Sequence, residues 1–513
     1  MSSGKTANPW AALSALCIGF FLIMMDTTIV SVAIPDMLAD LDADLNRITW
    51  VNSVYLLTYA APLLVTGRLG DHLGRKPMFL GGMAVFTAAS LWCGLSGSAD
   101  MLIAARAVQG VGAALMAPQS MAFITTLFPE SRRGAALGVW GAVAGVATVV
   151  GPLLGGVLVD AAGWEWIFLL NVPVGIAGLL MTVWLVPGGQ PRNRRHFDVL
   201  GTLLSGLALL ALVFGLQNGQ DYDWGVVRGP VTVTGVLVAG AVLLAAFLWW
   251  QRNNTREPLL PLSLFGVRNF SAASVAAASI GFSLTGFYLP LTLLLQPVAG
   301  LSPREAGLML VPMAVAGGVA GPLAGTLSDR ISGKWVILAG FLVFAAGLGM
   351  LAAVSEPDVE PWLLAVALFV CGTGSGSAFA PLANVAMREA PPALLGAASG
   401  AYNSIRQVGC VVGSAAASVL LQARLSASGH ASAEGTTAAL PTGPGAHAFR
   451  DDLAEASTTT LLVLAAVLLA GAVACLAMAP AGRTVTGAPA GSGRNTRDPV
   501  TAGGDRGADT SGS

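Results

Sequence analysis

Three ionisable side chains, Asp26, Arg106 and Arg406, interrupt long apolar runs of the chain. A charge at the centre of a bilayer costs about 2.5 to 3.5 kcal/mol on insertion scales, so each side chain needs a partner or a function. Desolvation and a nearby guanidinium act on a carboxylate in opposite directions, a balance that suits reversible protonation. We therefore predict proton coupling through Asp26 and Arg106, with a static structural ion pair as the alternative.

Membrane-spanning helices must position these side chains. Of the 513 residues, 55% are hydrophobic and 10% are charged, which leaves too few charges to cover a soluble globule of this size. Apolar windows of about 20 residues are long enough to cross the hydrocarbon core, and they predict an all-α membrane protein with fourteen transmembrane helices. The predicted spans are 11–34, 49–67, 78–98, 101–126, 135–159, 165–187, 198–217, 230–250, 270–295, 304–327, 335–355, 361–385, 396–421 and 459–480.

Asp26 and Arg106 lie at similar predicted depths. Asp26 is about nine residues from the outer end of its span, or roughly 13 Å, and Arg106 is about six residues from the end of its own, or roughly 9 Å. A packed pair or a shared water cavity is therefore geometrically possible. Arg406 has no acidic partner that the sequence identifies, so it either lines a cavity or donates hydrogen bonds to carbonyls of a neighbouring helix. The candidates for a substrate cavity are Thr27, Gln109, Arg406 and Gln407.

The basic residues of the connecting segments predict the orientation. With the first residue inside, nineteen lysines and arginines fall in inner segments and five fall in outer segments. This asymmetry follows the positive-inside rule and supports an even number of spans. We therefore predict a multi-pass protein of the plasma (inner) membrane with both termini in the cytoplasm. Residues 1–10 would form the cytoplasmic N-terminus and 481–513 a disordered cytoplasmic tail.

A glycine-rich charged loop follows the second span and recurs in the second part of the chain. Gly67–Pro77 (GRLGDHLGRKP) and Gly325–Lys334 (GTLSDRISGK) share Gly, Leu, Asp and Lys at an offset of 258 residues. Internal repetition is typical of secondary transporters. We predict that Asp71 caps or pairs with helix ends and that Arg75 and Lys76 close an inward gate, although topology alone also explains basic residues here. The predicted gating residues are Gly67, Asp71, Gly74, Arg75, Lys76, Asp329 and Arg330.

The fifth span carries a cluster of glycines and a proline, namely Gly151, Pro152, Gly155 and Gly156. Proline inside a helix removes a backbone hydrogen bond, and small residues let neighbouring helices approach closely. The segment therefore predicts a kinked and tightly packed helix.

Several other chemistries are not expected. Gly4, Lys5 and Thr6 resemble the end of a phosphate-binding loop but lack its earlier glycine, so we expect no use of ATP. The four histidines lie outside the predicted spans, and no pair of nucleophile and base is evident, so we expect no enzyme. The five cysteines lie in apolar runs without the spacing of a metal site. We therefore expect no metal and no cofactor.

At these residues the chain resembles the major facilitator superfamily, specifically its fourteen-span drug:proton antiporters of the EmrB/QacA type. Gly67–Lys76 matches the superfamily's loop between spans 2 and 3, and Asp26–Pro35 resembles the span-1 motif of the drug exporters. Leu102–Gly112 matches a span-4 motif whose arginine is assigned to proton transfer. Gly151–Gly156 is similar to the span-5 antiporter motif, and Trp164–Pro173 to a further signature of these exporters.

This resemblance implies two six-helix bundles, 11–187 and 270–480, with two inserted helices within 198–250. It also implies alternating access, in which proton influx drives export of a hydrophobic antibiotic or drug and confers resistance. The implied partners are that compound, protons and membrane lipid, with no nucleic acid. We expect a monomer that uses the proton gradient and no cofactor. A proton-coupled metabolite transporter of the same fold and a non-transporting membrane sensor are the alternatives.

The sequence also limits the charge of the substrate. Asp26 is the only acidic residue well inside a predicted span, so a multiply charged cation would be poorly balanced there. We therefore expect a neutral or singly charged hydrophobic compound.

Overall fold

The computed structural model describes residues 8–41, 43, 45–188, 198–219, 222–254, 258–356, 359–391, 394–427 and 445–479. The tail predicted at 481–513 lies outside these residues. The described chain is almost entirely helical. Its helices are α1 (Pro9–Ile29), α2 (Ile34–Asp40), α3 (Leu45–Ala60), α4 (Leu63–Leu73), α5 (Arg75–Gly94), α6 (Ala99–Leu127), α7 (Glu130–Ala162), α8 (Trp166–Leu169), α9 (Asn171–Leu185), α10 (Val199–Gln217), α11 (Val233–Asn253), α12 (Ser263–Gly266), α13 (Arg268–Gly286), α14 (Tyr288–Leu293), α15 (Pro303–Met309), α16 (Val311–Arg330), α17 (Gly333–Ala353), α18 (Pro361–Arg388), α19 (Leu395–Ala427) and α20 (Gly445–Leu476).

Within the described residues, thirteen helical segments are long and apolar enough to cross a membrane. They coincide with every predicted span except the second. The second span is divided because the helix breaks at Ala61 and Pro62, between α3 and α4. A proline has no amide hydrogen to donate and clashes with the preceding turn of a helix, so a break at this position has a clear cause.

The pair α3 and α4 nevertheless follows α6 along several of its turns. Arg106 Nε of α6 donates to the Val51 carbonyl of α3 at 3.1 Å. Further along, the Thr66 hydroxyl of α4 donates to the Ala114 carbonyl at 2.6 Å, and the Gln119 amide donates to the Thr66 carbonyl at 2.7 Å. The two short helices together therefore supply a fourteenth crossing.

Polar caps and glycines determine several helix ends. The side chains of Asn8, Ser98 and Thr232 accept hydrogen bonds from first-turn amides of α1, α6 and α11. These bonds satisfy amides that have no partner inside the helix. Gly74 and Gly163 have φ of +102° and +100°, a backbone conformation that glycine adopts without steric cost. Gly74 separates α4 from α5, and Gly163 ends α7.

Large apolar side chains also lie on the outside of the helices. Trp184 of α9, Trp249 of α11 and Leu323 of α16 are among many that remain mostly exposed. Exposed apolar surface of this extent would be unfavourable in water but suits contact with lipid chains.

The helices α1–α9, here called the first half, meet α13–α20, the second half, mainly along two contacts. Helix α4 packs on α19, and α7 packs on α16 and α18. Glycines allow both approaches. A Cβ placed on Gly67 would lie 2.8 Å from the Gly400 Cα, and one placed on Gly138 would lie 2.7 Å from the Gly321 carbonyl oxygen. Larger side chains at these positions would push the halves apart.

The inserted helices α10 and α11 pack on each other, and α10 also contacts α3 and α19. Asp198 holds the pair together because its carboxylate accepts hydrogen bonds from the Gly201 amide (2.8 Å), the Trp250 indole (2.9 Å) and the Gln251 amide (2.8 Å). Burial alone would raise the pKa of Asp198, but these hydrogen bonds outweigh it and hold that pKa below its ordinary value.

A small β-ribbon joins α10 and α11, and the purely helical prediction did not include it. Strand β1 (Val226–Arg228) pairs antiparallel with β2 (Val231–Thr232). Gly229 has φ of +56° in the turn between them. The β-branched valines and threonine on either side of a glycine turn favour an extended pair over a continuous helix.

Candidate functional site

Asp26 of α1 and Arg106 of α6 form an ion pair inside the first half. Arg106 Nη1 donates to Asp26 Oδ2, and both side chains are fully buried. The structure thus brings together Asp26 and Arg106, which were predicted to lie at similar depths in the membrane. Removal of both charges from water costs several kcal/mol per ion, so the pair needs further hydrogen bonds.

Two neutral residues, Gln109 and Asn171, bond to the pair, and a third, Ser90, holds Gln109. Gln109 Nε2 donates to Asp26 Oδ1 at 3.0 Å, and Asn171 Nδ2 of α9 donates to the same oxygen at 3.2 Å. Gln109 Oε1 in turn accepts from Arg106 Nη1 at 2.8 Å, and Gln109 Nε2 also donates to Ser90 Oγ of α5 at 2.7 Å. We call Asp26, Ser90, Arg106, Gln109 and Asn171 the Asp26 cluster; it joins four helices.

Aromatic rings enclose the guanidinium of the cluster. Arg106 Cζ lies 4.0 Å from the centroid of the Tyr55 ring and 5.6 Å from that of Phe168. A cation over an aromatic face is attracted to it, most strongly where water is excluded. Arg106 Nη2 is buried without a hydrogen-bond partner in the described part of the chain. Arg106 Nη2 is therefore free to donate to the Asp26 carboxylate if that side chain changes position.

The four residues predicted to line a substrate cavity lie on three helices of the two halves. Gln109 was expected to line that cavity, but it is fully buried within the Asp26 cluster because its amide bridges both charged partners. Thr27 is partly buried, and its hydroxyl donates to the Met24 carbonyl of its own helix at 2.6 Å. Arg406 and Gln407 are buried on α19 in the second half. A cavity role for Thr27 and Gln407 stays a prediction.

Asn171 and Tyr55 are functional candidates that the sequence reasoning missed. Asn171 is 145 residues from Asp26 in the chain, so nothing in local spacing connects the two. The available signal was Trp164–Pro173, a segment that resembles a signature of drug exporters and that contains Asn171. Tyr55 gave no signal, because an aromatic residue in an apolar span is ordinary.

The first glycine loop places its aspartate against the second half. The Asp71 carboxylate accepts hydrogen bonds from the Gly396 and Ala397 amides, each at 3.0 Å, in the first turn of α19. The positive end of a helix dipole favours an anion at this position. Arg75 donates to Asp71 Oδ1 and to the Ala122 carbonyl of α6, both at 3.3 Å. The arginine therefore supports the aspartate from within the first half.

The second loop makes the reciprocal contact. The Asp329 carboxylate accepts hydrogen bonds from the Gly134 amide at 2.9 Å and from the Ala135 amide at 3.0 Å, both near the start of α7 in the first half. Asn384 Nδ2 approaches the same carboxylate at 3.4 Å. Arg330 is exposed. Each half thus has one carboxylate that accepts hydrogen bonds from backbone amides of the other half. Both contacts lie at the end of the bundle that carries Gly67–Pro77 and Gly325–Lys334, here called the glycine-loop end.

The loop lysines stay within their own halves. Lys76 Nζ donates to the Val183 and Val186 carbonyls at 2.8 and 2.7 Å, where α9 ends. Lys334 Nζ donates to the Leu476 carbonyl at 2.7 Å, where α20 ends. Unpaired carbonyls at a helix C-terminus attract these lysines, and at this end Asp71 and Asp329 make hydrogen bonds between the halves. A gating role for Arg75 and Lys76 stays a prediction. The 258-residue offset relates both aspartates and both lysines.

The glycine and proline cluster of α7 packs against α1 beside Asp26. A Cβ placed on Gly151 would lie 3.1 Å from the Met25 carbonyl oxygen, and one placed on Gly155 would lie 2.9 Å from Ile29 Cγ1. Glycine at both positions therefore lets α7 approach closely the helix that carries the buried carboxylate. The helix α7 runs through the whole cluster, which comprises Gly151, Pro152, Gly155 and Gly156.

Comparison with known proteins agrees with this architecture. The family model of the Major Facilitator Superfamily matches residues 16–414. The chain is 43% identical over 478 residues to an uncharacterized MFS-type transporter of Mycobacterium tuberculosis, which covers 91% of this chain and 81% of that protein. It is 34% identical over 425 residues to the tetracenomycin C resistance and export protein of Streptomyces glaucescens, which covers 83% of this chain and 78% of that protein.

A solved structure supports the fold. The human organic anion transporter MFSD10 (TETRAN) superposes with a TM-score of 0.60 at 15% identity, over 90% of this chain and 99% of the other. At that identity the similarity concerns the fold alone. The predicted helical fold and the predicted family are confirmed, and these relatives are transporters and not enzymes. The chain therefore belongs to the Major Facilitator Superfamily, as a multi-pass membrane transporter related to its fourteen-span drug-resistance exporters.

Proposed function

We propose that this transporter exports a neutral or singly charged hydrophobic antibiotic or drug across the plasma membrane in exchange for protons, and so confers resistance. The observation that carries the proposal is the fully buried pair of Asp26 and Arg106. Replacement of a buried ion pair by apolar residues is often neutral or even stabilising, so stability alone is a weak reason to keep one. The relative that exports tetracenomycin C supports an antibiotic as the substrate.

Protonation of Asp26 is the step that would couple the two fluxes. A neutral carboxyl holds the Arg106 guanidinium less strongly, which leaves the buried cation to seek other acceptors and favours a shift of α6 relative to α1. Close packing of Gly151 and Gly155 on α1 would pass that shift to α7. Helix α7 also contacts the second half, so a change at the carboxylate reaches the interface between the halves.

The two loop aspartates would act as the gate. Both contacts between halves at the glycine-loop end are formed in this conformation. We place that end and both termini in the cytoplasm, as the basic residues predict. The conformation described here would then face outward, and loading of substrate from the cytoplasm would require both contacts to break.

The membrane potential supplies sufficient energy for such an exchange. One charge that crosses about 100 mV provides roughly 2.3 kcal/mol. That energy sustains about a 40-fold concentration ratio of the exported compound, at 1.4 kcal/mol per decade. A pH gradient adds to this force.

The proposal is tested by efflux of a panel of antibiotics and fluorescent dyes from cells that express the protein, with and without a protonophore. Asp26→Asn keeps the shape of the side chain but cannot carry the charge, so we expect it to abolish efflux. Asp36→Asn is the matched control, because Asp36 is exposed on α2 shortly after Asp26. Efflux that survives both Asp26→Asn and the protonophore contradicts proton coupling, and absence of any efflux contradicts drug export.

A further inference from the structure

Arg406 is a second buried guanidinium, and this one has no counter-charge. It is 8% exposed on α19. In the described part of the chain no carboxylate lies within salt-bridge distance of it, and its Nε has no hydrogen-bond partner. The titratable side chains that interact with it are those of Tyr59, Tyr402 and Cys410, and none of them is a carboxylate. An uncompensated buried charge is strongly unfavourable, so a partner from outside the protein is the simplest compensation.

The unsatisfied polar atoms around Arg406 are all able to donate. The Tyr59 hydroxyl of α3 faces the guanidinium, but no hydrogen bond of regular geometry joins them. Trp140 of α7 stacks on Phe379, the ring that the guanidinium also approaches, and its indole Nε1 is likewise buried without a partner in the described residues. Guanidinium and indole groups have no acceptor, and a hydroxyl can donate. The ligand that satisfies this set must therefore offer acceptor oxygens, and a negative charge satisfies the cation best.

Aromatic rings extend away from the guanidinium. The Phe379 ring centroid on α18 lies 5.6 Å from Arg406 Cζ. Trp140 stacks on Phe379 at 6.0 Å and 28°, and Phe20 of α1 stacks on Trp140 at 3.8 Å and 15°. Phe20 and Trp140 are fully buried, whereas Phe379 is only partly covered. A planar aromatic ligand could stack on Phe379 while its acceptor oxygens receive hydrogen bonds from the guanidinium.

We propose that Arg406 binds the acidic group of the exported compound, and that this compound is an aromatic monoanion that carries a sulfonate, carboxylate or phenolate. The inference rests on the proposed export function and adds the substrate class to it. The site draws on α3 and α7 of the first half and on α18 and α19 of the second, the interface that alternating access must rearrange. An inside-negative membrane potential also favours the exit of an anion.

Two probes with one aromatic frame separate charge recognition from apolar binding. The anion is 8-anilinonaphthalene-1-sulfonate, and N-phenyl-1-naphthylamine is the same frame without the sulfonate. Binding is measured by fluorescence with the full-length protein in lipid nanodiscs, and empty nanodiscs give the background. We expect Arg406→Gln to weaken binding of the sulfonate at least about tenfold, with the neutral probe changed less than about twofold. Arg406→Lys keeps the charge and is expected to retain most of the sulfonate binding.

The matched control is Arg252→Gln, the same change at an exposed position at the end of α11. This substitution should leave the binding of both probes unchanged. If Arg406→Gln weakens the binding of both probes equally, or of neither, the assignment is overturned. Elution volume and melting temperature verify that each variant is folded.

The experiment also separates this inference from the proposed function. Binding is measured without a proton gradient, so its outcome does not depend on whether the protein couples transport to protons. If neutral compounds are exported but binding of the anion does not depend on Arg406, the inference about the substrate class is wrong and the export function stands. Selective binding of the anion without export of any compound removes the export function.

Discussion

Tyr55 links the buried ion pair to the rest of the molecule. Its ring lies against the Arg106 guanidinium, and its hydroxyl donates to the Ile23 carbonyl of α1 at 3.3 Å. The contact of ring and cation is worth roughly 0.5 to 2 kcal/mol, with the upper part of that range at desolvated sites. The hydroxyl makes a longer and weaker bond. The ring should therefore matter more than the hydroxyl for the position of Arg106.

A pair of substitutions at Tyr55 separates these two contributions. Tyr55→Phe keeps the ring, and we expect its initial rate of dye efflux to stay within about twofold of the unmodified protein. Tyr55→Leu removes the aromatic face and should reduce the rate about tenfold, because roughly 1.4 kcal/mol corresponds to one decade. Rates are compared at equal amounts of protein in the membrane. Equal rates for Phe and Leu would show that the ring does not hold the guanidinium.

At the residue scale the sequence predicted the pair but not its surroundings. Asp26 and Arg106 stand out because charges are rare in apolar spans, and their depths can be read from the span ends. Asn171 and Ser90 are ordinary polar residues, and only the packing of α5 and α9 brings them to the carboxylate. The bonds of Gln109 to both charged partners were not predicted for the same reason: spacing along a helix does not tell which neighbour its face meets.

The junction between α4 and α5 depends on the backbone of Gly74. Its φ of +102° lies in a region that residues with a side chain rarely adopt. We expect Gly74→Ala to destabilise the protein by about 1 to 3 kcal/mol, which should lower the apparent melting temperature of the purified transporter. Gly81→Ala is the matched control in α5, because an added Cβ there meets no atom within 4 Å. Alanine favours a helix over glycine by up to about 1 kcal/mol, so the control should be neutral or slightly stabilising.

Equal melting temperatures for the Gly74 and Gly81 variants would mean that the junction relaxes without strain. The sequence indicated a glycine-rich loop here, but only the φ of the folded backbone identifies Gly74 as the position that a side chain disturbs.

Element prediction succeeded where hydrophobicity alone decides the outcome. Apolar windows identified thirteen spans because a helix must bury its own hydrogen bonds in lipid. The same windows passed over the break at Ala61 and Pro62, since an average over a span does not register a single proline.

The short helix α3 interacts with both buried arginines. The Tyr55 ring lies over the Arg106 guanidinium, and Tyr59, one turn later on α3, interacts with Arg406. One short helix thus contacts both guanidinium groups.

The whole molecule is closed at the glycine-loop end by two crossed contacts. Asp71 reaches α19, and Asp329 reaches α7. An anion at a helix N-terminus contributes about 0.3 to 1 kcal/mol, and up to roughly 2 kcal/mol where it is partly buried. Two such contacts contribute about 0.6 to 4 kcal/mol. The removal of both charges should therefore shift the equilibrium between closed and open conformations by about half a decade to three decades.

Spin labels at Ser131 and Ile331, both exposed at the glycine-loop end, report this equilibrium. In the unmodified protein we expect one short distance, and in the double variant Asp71→Asn, Asp329→Asn a second, longer distance should become populated. In each single variant, the population of the longer distance should lie between the values of the unmodified protein and the double variant. Asp160→Asn, an exposed change near the other end of α7, is the control. An unchanged distance distribution in the double variant would show that the aspartates do not hold this end closed.

Proton movement through Asp26 is measured most directly in proteoliposomes that contain a pH-sensitive dye and the purified transporter. A gradient of a compound identified in the efflux panel is imposed, with no pH gradient at the start. We predict that the compound and protons move in opposite directions and that Asp26→Asn abolishes the proton signal, while Asp36→Asn preserves it. A substrate flux that carries no protons, or a proton signal that persists in Asp26→Asn, would contradict coupling at this carboxylate.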